Sequence, residues 1–393
     1  MAIPGSILTV PSISVIVPTF NEAPNLPLLV QGLASVLTRV GLWEVIIVDD
    51  DSHDGSREVL NDLALRYPQL TYKIRVGERG LSSAVLAGMA LAHNEYVVVM
   101  DADLSHPADA IPAMIEKLQR DEADFVIGSR YCDGGCTEDW SRLRWLNSAG
   151  ATLLAKPLVG SIKDPMAGFF AMRRDSLRYA DPLNPIGYKI ALELLVKTHI
   201  PPNRVAEVPI TFRNRIHGES KLTMREQFRY LEHLSRLYDY AFPKASPRAK
   251  FLIAAGCGVA ACFSTLALMN RLDLAPILSI AGGLLAMIAV AAVFFLRYVN
   301  TQREFIVMKH PYWEFLYISM AEFITGWAFA ICTQAHLSVQ MAAGVTVVLL
   351  VRYTLRKVFL HDLRGIRGTP RPGASVRIAL ATGPISPKPA ASA

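Results

Sequence analysis

The chain lacks the glycine-rich phosphate-binding signatures of two large classes of nucleotide-binding enzyme. Neither a Walker sequence nor a G-x-G-x-x-G fingerprint occurs in its 393 residues, which argues against a P-loop ATPase and a dinucleotide-dependent dehydrogenase. No Q-x-x-R-W motif is present either, because RLRW at 142–145 lacks the glutamine. This absence disfavours a processive polysaccharide synthase.

Cysteine is scarce, with five residues in the whole chain. Cys257, Cys262 and Cys332 lie within apolar runs, where we expect them to act as small apolar side chains. Cys132 and Cys136 are spaced as C-x3-C, but no second pair of cysteines or histidines accompanies them, so a zinc site is not expected. This cysteine usage is consistent with a reducing compartment.

A cleavable secretory signal is also absent, because the segment before the first apolar run has neither a basic region nor a cleavage site. We therefore expect the N-terminal half of the chain to stay on the cytoplasmic side. Nucleic acid is not an expected partner. The net charge is +6, but no motif combining basic and aromatic residues supports RNA or DNA binding.

Long uncharged runs dominate the C-terminal part of the sequence. Residues 251–269 and 274–296 carry no charged side chain. Each run approaches or exceeds the ~20 residues that a helix needs to cross a bilayer. Both runs predict transmembrane helices.

Two further apolar runs, 314–334 and 337–351, are weaker. The first has one acid in mid-span, Glu322, and the second is short, so we expect Arg352 to extend it by snorkelling. Together the four runs predict four transmembrane helices, with a buried helical hairpin of a soluble domain as the alternative for the last two. Glu322 is either a functional group or the partner of a neighbouring helix or subunit.

Basic residues are concentrated on one side of the predicted spans. They precede the first span, lie between the second and third, and follow the fourth: Lys244, Arg248, Lys250; Arg297, Arg303, Lys309; Arg352, Arg356, Lys357, Arg364 and Arg367. This asymmetry predicts a multi-pass membrane protein whose N-terminal domain and two termini are cytoplasmic.

The N-terminal half alternates apolar strand patterns with helical ones. We predict strands at 14–18, 45–51, 71–76, 96–101 and 124–130, and helices at 25–37, from 56, at 81–93 and at 108–120. Such alternation predicts an α/β fold with a mostly parallel sheet, followed here by the α-helical membrane domain. Ligands of such sheets bind beyond the carboxyl ends of the strands.

Acidic side chains follow two of these predicted strands. Asp101 and Asp103, in VVVMDADLSHP, can point the same way and chelate one hard cation, which would neutralise a diphosphate. The alternative is a solvated strand end in which Ser105 or Asp109 caps the next helix. PTFNE at 18–22 and the acids of VDDDSHDGS at 48–56 could hold the base and ribose of a nucleotide.

In order and approximate spacing, six motifs resemble those of the dolichol- or polyprenol-phosphate mannose synthases. The motifs are PTFNE, VDDDSHDGS, RGLSSAV, MDADLSHP, GSRY (128–131) and RIHGESKL (215–222). These enzymes are nucleotide-sugar glycosyltransferases of family 2 with a GT-A fold. The resemblance covers about residues 12–235, and the apolar runs after 250 look like the four-helix GtrA-type membrane domain that some relatives carry.

The resemblance implies a set of site residues. Those lining the nucleotide are Pro18, Phe20, Glu22, Val48 and Asp50; those near nucleotide and metal are Asp101, Ala102 and Asp103, with Ser105 at the third metal position; those binding phosphates are Arg130, Arg215 and Lys221. Asp103, Arg130, Arg215 and Lys221 are the implied catalytic residues, and Mg²⁺ or Mn²⁺ is the implied cofactor. Phe20 replaces a frequent tyrosine, and Ser105 a glutamine of some relatives.

The implied reaction transfers mannose from GDP-mannose to dolichyl or polyprenyl phosphate by a metal-dependent, inverting single displacement. The nucleophile is already an anion near neutral pH, since a phosphate monoester has a second pKa of ~6. No general base is needed, but cations are needed to bring two anionic partners together. Asp164, in DPMAGFF, either orients the sugar or acceptor or caps a turn.

The sequence leaves two alternatives open. One is a polyprenyl-phosphate glucosyltransferase using UDP-glucose, because these motifs encode base and sugar poorly. The other is a membrane scaffold or lipid-carrier-handling protein with a degenerate transferase domain, which the intact acids and basic residues disfavour. Homo-oligomerisation also remains open.

We expect four regions in the chain. They are a cytoplasmic glycosyltransferase domain at 1–221, an amphipathic helical region at the membrane interface at 222–248, a transmembrane domain at 249–358 and a disordered cytoplasmic tail at 359–393. An ordinary surface helix of the soluble domain is the alternative for the second region.

Overall fold

The structure is a computed structural model that describes residues 10–137, 142–213, 224–302, 311–333 and 335–363. The chain divides into two compact units, and the boundary falls between Leu237 and Tyr238.

The first unit contains a seven-stranded, mostly parallel sheet. Its strands are β1 (Ser12–Thr19), β2 (Leu42–Asp49), β3 (Leu70–Ile74), β4 (Tyr96–Val99), β5 (Phe125–Ser129), β7 (Phe170–Arg173) and β8 (Val205–Pro209), in the order β3-β2-β1-β4-β7-β5-β8. A small parallel pair, β6 (Cys136–Thr137) and β9 (Thr211–Phe212), lies outside this sheet.

Helices connect the strands. They are α1 (Leu26–Leu37), α2 (Ser56–Arg66), α3 (Leu81–Leu91), α4 (Ile111–Gln119), α5 (Arg142–Val159), α6 (Ile190–Lys197) and α7 (Met224–Ala241), the last of which crosses the boundary between the units. The five predicted strands and the four helices predicted between them are all present.

The central strands form where the sequence has continuous apolar runs. In β1 the residues from Ile13 to Thr19 are all buried, as are all four residues of β4. Strands that are covered by helices on both faces need apolar side chains on both, which explains the absence of alternation in these segments.

The strand β7 was not predicted, and it runs antiparallel to both of its neighbours. Its first residue, Phe170, is the register partner of Val99 at the end of β4 and of Ile127 in β5. The start of β7 therefore lies at the carboxyl ends of the adjacent strands. As a result, the loop that precedes β7 reaches the edge of the sheet where ligands bind.

Part of α7 packs on the first unit. Tyr230 donates its hydroxyl hydrogen to the carbonyl of Ala151 at 2.7 Å, and His233 Nε2 lies 2.6 Å from Glu193 Oε2. Glu193 also accepts a hydrogen bond from Lys197 Nζ at 2.6 Å. Burial would raise the pKa of Glu193, but the hydrogen bond with His233 and the charge of Lys197 outweigh it and lower that pKa to about 2.

Among its described residues the second unit contains four long helices, and its apolar core includes Cys262, Leu284 and Met341. The helices are α8 (Ser246–Arg271), α9 (Pro276–Gln302), α10 (Pro311–Cys332) and α11 (Leu337–Leu363). Within the described residues, Arg248–Arg271, Pro276–Phe294 and Phe315–Cys332 are long and apolar enough to span a membrane. The apolar part of α11, Leu337–Arg352, is shorter.

The helices α10 and α11 are joined by a buried ion pair. Arg352 donates from Nε to Glu322 Oε1 at 2.8 Å and from a terminal nitrogen to Oε2 at 2.6 Å. Both residues are at most 2% exposed. The predicted snorkelling of Arg352 is therefore wrong, because its guanidinium binds the one acid in mid-span instead. Of the two interpretations of Glu322, the structure shows pairing with a neighbouring helix.

Candidate active site

The carboxyl ends of β1, β2 and β4 lie side by side at one edge of the sheet. Pro18 in β1 is the register partner of Val48 in β2, and β4 pairs with the other side of β1 as far as Val99. The acids that follow β2 and β4, including Asp50 and Asp101, are thus separated by the end of a single strand. This convergence is the one that the sequence predicts.

The segment from Asp101 to Ser105 makes a tight turn after β4. Leu104 in this turn has a φ of 61°, in the left-handed region that a leucine rarely adopts. The turn directs the backbone N–H and the hydroxyl of Ser105 to Asp103 Oδ1, at 3.1 and 2.5 Å. Ser105 and Ala102 are both buried. Asp103, which is 4% exposed, is therefore fixed by its own turn.

Capping does not explain these residues. The turn leads into a short 3-10 helix, Ala108–Ala110, and then into α4, and neither has a side-chain capping hydrogen bond. The alternative in which Ser105 or Asp109 caps the next helix is thus wrong. Metal ligation by Ser105 stays a prediction, and its hydroxyl hydrogen is donated to Asp103.

Asp101 is the more accessible of the two carboxylates at this turn. The Asp101 side chain is 31% exposed, and Gly168 leaves space beside it, because a Cβ there would lie 3.2 Å from Asp101 Oδ2. His106 fixes the backbone of Asp101, because its Nδ1 accepts a hydrogen bond from the Asp101 N–H at 3.2 Å. The His106 ring in turn stacks on Phe169. Burial lowers the pKa of His106, against the charges of both aspartates.

The donor set at this turn fits a hard divalent cation. Carboxylate oxygens suit Mg²⁺ and Mn²⁺, and Mg²⁺ commonly combines one or two carboxylates with phosphate oxygens and water. Among the residues that the structure describes, no cluster of three or more His, Cys, Asp or Glu forms a complete protein cage. A cation on Asp101 and Asp103 would therefore take further ligands from a bound diphosphate.

Arg130, at the end of β5, is held by Asp164 from the loop before β7. Arg130 donates from Nε and a terminal nitrogen to the two carboxylate oxygens, at 2.8 and 2.7 Å, and its backbone N–H binds Asp164 Oδ2 at 3.0 Å. Asp164 is completely buried, and its own N–H binds Glu207 in β8. Asp164 thus orients a guanidinium, which neither of its predicted roles included.

Lys189, just before α6, lies near this ion pair. Its ammonium group donates to the carbonyl of Met166 at 3.0 Å, in the same loop as Asp164. Loss of water around the ammonium group lowers the pKa of Lys189 to about 8, and the nearby charge of Arg130 acts in the same direction. Asp164 and Asp101 oppose this shift. The site therefore combines three carboxylates, those of Asp101, Asp103 and Asp164, with two cations, Arg130 and Lys189.

A second network forms at the ends of β2 and β3. Asp50 and Arg75 are a buried ion pair, in which Arg75 donates to Asp50 Oδ1 from Nε at 2.7 Å and from a terminal nitrogen. Asp50 Oδ2 accepts the backbone N–H of Gly80 at 2.7 Å. The predicted nucleotide residue Asp50 thus organises the loop that follows β3.

Phe20 lies beside this loop, with the guanidinium carbon of Arg79 4.4 Å from the centroid of its ring. Next to it, Glu22 accepts a hydrogen bond from the Asn25 side chain at 2.6 Å, and Val48 is fully buried. The predicted nucleotide residues of the first two motifs therefore lie at the half of the sheet edge formed by β1 and β2, and their contact with a nucleotide stays a prediction.

Two predicted residues, Arg215 and Lys221, lie outside the described residues. The chain approaches that segment from the site itself, because the backbone N–H of Arg213 binds the carbonyl of Ser105 at 3.2 Å. Their predicted binding of phosphates stays a prediction.

Comparison with known proteins identifies the family of this chain. The model of glycosyl transferase family 2 matches residues 14–179. Dolichol-phosphate mannosyltransferases of Mycosarcoma maydis and Saccharomyces cerevisiae are each 43% identical, over 59% and 58% of this chain and 81% and 88% of their own length. The chain belongs to glycosyltransferase family 2.

Two further likenesses accompany this result. The dolichol-phosphate mannosyltransferase of Pyrococcus furiosus is 43% identical over 57% of this chain, and the match spans 63% of that protein. Mannosyl-3-phosphoglycerate synthase from Rubrobacter xylanophilus is similar with a TM-score of 0.47 and 17% identity, over 60% of this chain and 75% of that structure.

Sequence reasoning missed several residues of this glycosyltransferase site. Arg75 is the last charged residue of the strand predicted at 71–76, and its place near a strand end is a signal that could have found it. Arg79 lies in a glycine turn that by itself is a weak signal. Gly168 and Lys189 lie in irregular segments, where no periodic pattern marks them.

Proposed function

We propose that this glycosyltransferase moves mannose from GDP-mannose to dolichyl or polyprenyl phosphate, giving the lipid-phosphate mannose and GDP. The observation that carries the proposal is the convergence of Asp101 and Asp103 with Arg130 at one edge of the sheet. The chain's relatives that are 43% identical and named dolichol-phosphate mannosyltransferase support the choice of sugar and acceptor.

The reaction needs charge compensation more than proton transfer. The acceptor phosphate is already an anion at neutral pH, so it attacks the sugar carbon directly, with inversion, as diphosphate leaves. When bound at Asp101 and Asp103, Mg²⁺ or Mn²⁺ supplies the positive charge that stabilises the leaving diphosphate. The aspartates hold their position through the hydrogen bonds of the turn with Ser105 and His106.

Arg130 draws the two anionic partners together. A guanidinium has five N–H donors in a fixed fork, and Asp164 binds Nε and one terminal nitrogen. This pairing fixes the plane of the fork before substrates bind, so less orientational freedom is lost when phosphate arrives. Lys189, just before α6, adds a second positive charge through its contact with the loop of Asp164, and Arg215 and Lys221 are proposed to add theirs.

The second unit accounts for the acceptor. A polyprenyl phosphate has its hydrocarbon tail in the bilayer, and three helices of the second unit are apolar and long enough to span one. We propose that these helices, with α11, hold the enzyme in the membrane and that the catalytic unit and both termini face the cytoplasm, as the basic residues beside the apolar runs favour.

A transfer assay with matched donors tests the proposal. Purified full-length protein in detergent receives labelled GDP-mannose or labelled UDP-glucose, dolichyl or polyprenyl phosphate, and Mg²⁺, Mn²⁺ or a chelator. We expect metal-dependent formation of labelled lipid from GDP-mannose. Transfer from UDP-glucose alone would establish the glucosyltransferase alternative. Absence of transfer from either donor, with nucleotide still bound, would favour a lipid-carrier-handling protein.

A further inference from the structure

Arg79 occupies a position from which it can meet the base of a bound nucleotide. Its guanidinium carbon is 4.4 Å from the centroid of the Phe20 ring, and the residue is exposed. Phe20 follows β1, at the sheet edge where nucleotides bind in folds of this type. Arginine and aromatic ring together therefore form one wall of the nucleotide half of the site.

The loop that carries Arg79 is fixed at both ends by a buried network. Arg75 forms the ion pair with Asp50 and also donates to the carbonyl of Gly80 at 3.1 Å, while the N–H of Gly80 binds Asp50. Gly80 has a φ of 146°, a conformation that side-chain-bearing residues rarely adopt. Arg79 is thus held between two anchored positions.

The loop that carries Phe20 is attached to the same part of the sheet. The N–H of Asn21 binds Ser52 Oγ at 2.8 Å, and the N–H of Ala23 binds Asp54 Oδ2 at 2.9 Å. Phe20 and Arg79 are therefore both positioned by the segment that follows β2. Because both loops are hydrogen-bonded to this segment, the contact between Arg79 and Phe20 is formed before a nucleotide binds.

We propose that Arg79 selects guanine by donating two parallel hydrogen bonds to O6 and N7 of the base. A guanidinium over a ring face keeps its N–H groups at its own periphery, where the edge of a base can accept them. Guanine has two adjacent acceptors, O6 and N7, that match the fork, and this pairing is the commonest specific contact of arginine with bases. Uracil has no such adjacent pair, since its O4 neighbours an N–H and a C–H.

The buried ion pair leaves Asp50 with little hydrogen-bonding capacity for the O6 and N7 edge of a base. Asp50 already accepts three hydrogen bonds from Arg75 and Gly80 and is 5% exposed. A carboxylate has about four acceptor positions, so most of its capacity serves the loop. Asp50 and Arg75 therefore position the loop that carries Arg79.

This inference rests on the proposed function, because it gives the physical basis for a GDP-linked donor. The test measures nucleotide binding by calorimetry on the full chain in detergent, with Mn²⁺ in excess. The ligands are GDP, UDP and 7-deaza-GDP, which lacks N7 but keeps O6 and the same charge. The variants are Arg79→Gln and Arg79→Lys, with Arg66→Gln, an exposed arginine at the end of α2, as the control.

We expect Arg79→Gln to bind GDP about tenfold or more weakly, with UDP affinity unchanged. Arg79→Lys should lose a similar factor, because an ammonium has no planar fork. Wild type should bind 7-deaza-GDP more weakly than GDP, and this difference should vanish in Arg79→Gln. The Arg66→Gln control should match wild type for every ligand.

Three results would overturn the inference. An equal loss of GDP and UDP affinity would place Arg79 on the diphosphate, and unchanged GDP affinity would remove it from the site. Equal affinity of wild type for GDP and 7-deaza-GDP would exclude N7 as an acceptor. Each leaves the proposed transfer intact, whereas a wild type that binds UDP more tightly than GDP would overturn the proposed donor and the inference together.

Discussion

Arg130 and Asp164 form a two-bond ion pair in which the carboxylate is completely inaccessible to solvent and the guanidinium is 10% exposed. The arginine ends a strand of the parallel part of the sheet, and the aspartate comes from the loop before the antiparallel strand β7. The pair therefore connects the predicted architecture with the part that was not predicted. It also places a fixed positive charge beside the turn of Asp101 and Asp103.

Replacing Asp164 with asparagine should impair both transfer and stability. The change leaves the Arg130 cation largely buried without its counter-ion, and breaking such a pair costs about 3–5 kcal/mol. A guanidinium displaced by about 1 Å can cost ~100-fold in rate. We expect a large fall in kcat/KM for mannose transfer and a lower Tm.

The matched control is Asp133→Asn. Asp133 pairs with Lys163, the residue next to Asp164, but its side chain is fully exposed. A pair that is screened by water in this way adds little to stability, so activity and Tm should stay near wild type. If Asp164→Asn behaves like this control, Asp164 does not position Arg130.

The sequence was sufficient for features that depend on near neighbours. The buried strands β1, β2 and β4 are mostly apolar, and the pair Asp101 and Asp103 comes shortly after one of them. The right-handed connection between parallel strands then places successive strand ends at one edge. Local patterns of this kind predicted both the fold class and the carboxylates of the candidate site.

The remaining features depend on pairings between distant residues. Arg130 and Asp164 are 34 positions apart, and Asp50 and Arg75 are 25 apart, so nothing local marks them as partners. The four residues of β7 are too few for a reliable pattern, and their antiparallel pairing arises from tertiary packing. The sequence therefore identifies Arg130 and Asp50, but their ion-pair partners, Asp164 and Arg75, are recognised as such only in the folded chain.

The turn after β4 makes a prediction about metal binding. Asp103→Ala removes a proposed ligand, so metal-dependent transfer should fall by about 100-fold or more. Ser105→Ala removes only the hydroxyl that donates to Asp103 Oδ1, and the loss of such a supporting bond typically costs 10–100-fold in metal affinity. Titration of Mn²⁺ by electron paramagnetic resonance, with GDP present, measures both effects.

Ser35→Ala serves as the control for these two variants. Ser35 is a residue of α1 whose hydroxyl binds the backbone of its own helix, so its removal should leave Mn²⁺ affinity unchanged. Wild-type Mn²⁺ affinity in Asp103→Ala would show that the carboxylate is no ligand. A loss in Ser105→Ala as complete as that in Asp103→Ala would instead support direct ligation by Ser105.

Lys189 should make transfer depend on pH in the alkaline range. Its pKa is lowered from 10.5 to about 8 by loss of water around the ammonium group, so its positive charge disappears as pH rises through about 8. The acceptor phosphate is fully ionised well below this pH. We therefore expect kcat/KM for the lipid phosphate to fall above about pH 8.

Unfolding would not explain such a fall. Between the folded pKa of about 8 and the unfolded value of 10.5, the unfolded state binds more protons at Lys189 than the folded state does. The contribution of this residue to stability therefore rises with pH in that window. Lys189→Arg retains the charge, so its profile should stay flat to higher pH. A Lys189→Arg profile identical to wild type would assign the titration to another group.

The ion pair between Glu322 and Arg352 should be more costly to break than to remove. Glu322→Met or Arg352→Met alone leaves one charge buried among apolar helices, and breaking a buried pair costs about 3–5 kcal/mol. Replacing both residues with methionine removes both charges and restores apolar packing, which is often neutral or stabilising. We expect each single variant to lower the Tm in detergent and the double variant to recover most of the loss.

Thr346→Ala, which removes an exposed hydroxyl bound only within α11, should leave the Tm unchanged. If the two single effects simply add in the double variant, then Glu322 and Arg352 do not depend on each other. Recovery would show that the acid in mid-span is there to neutralise Arg352, so that α11 can carry a basic residue at the end of its apolar segment.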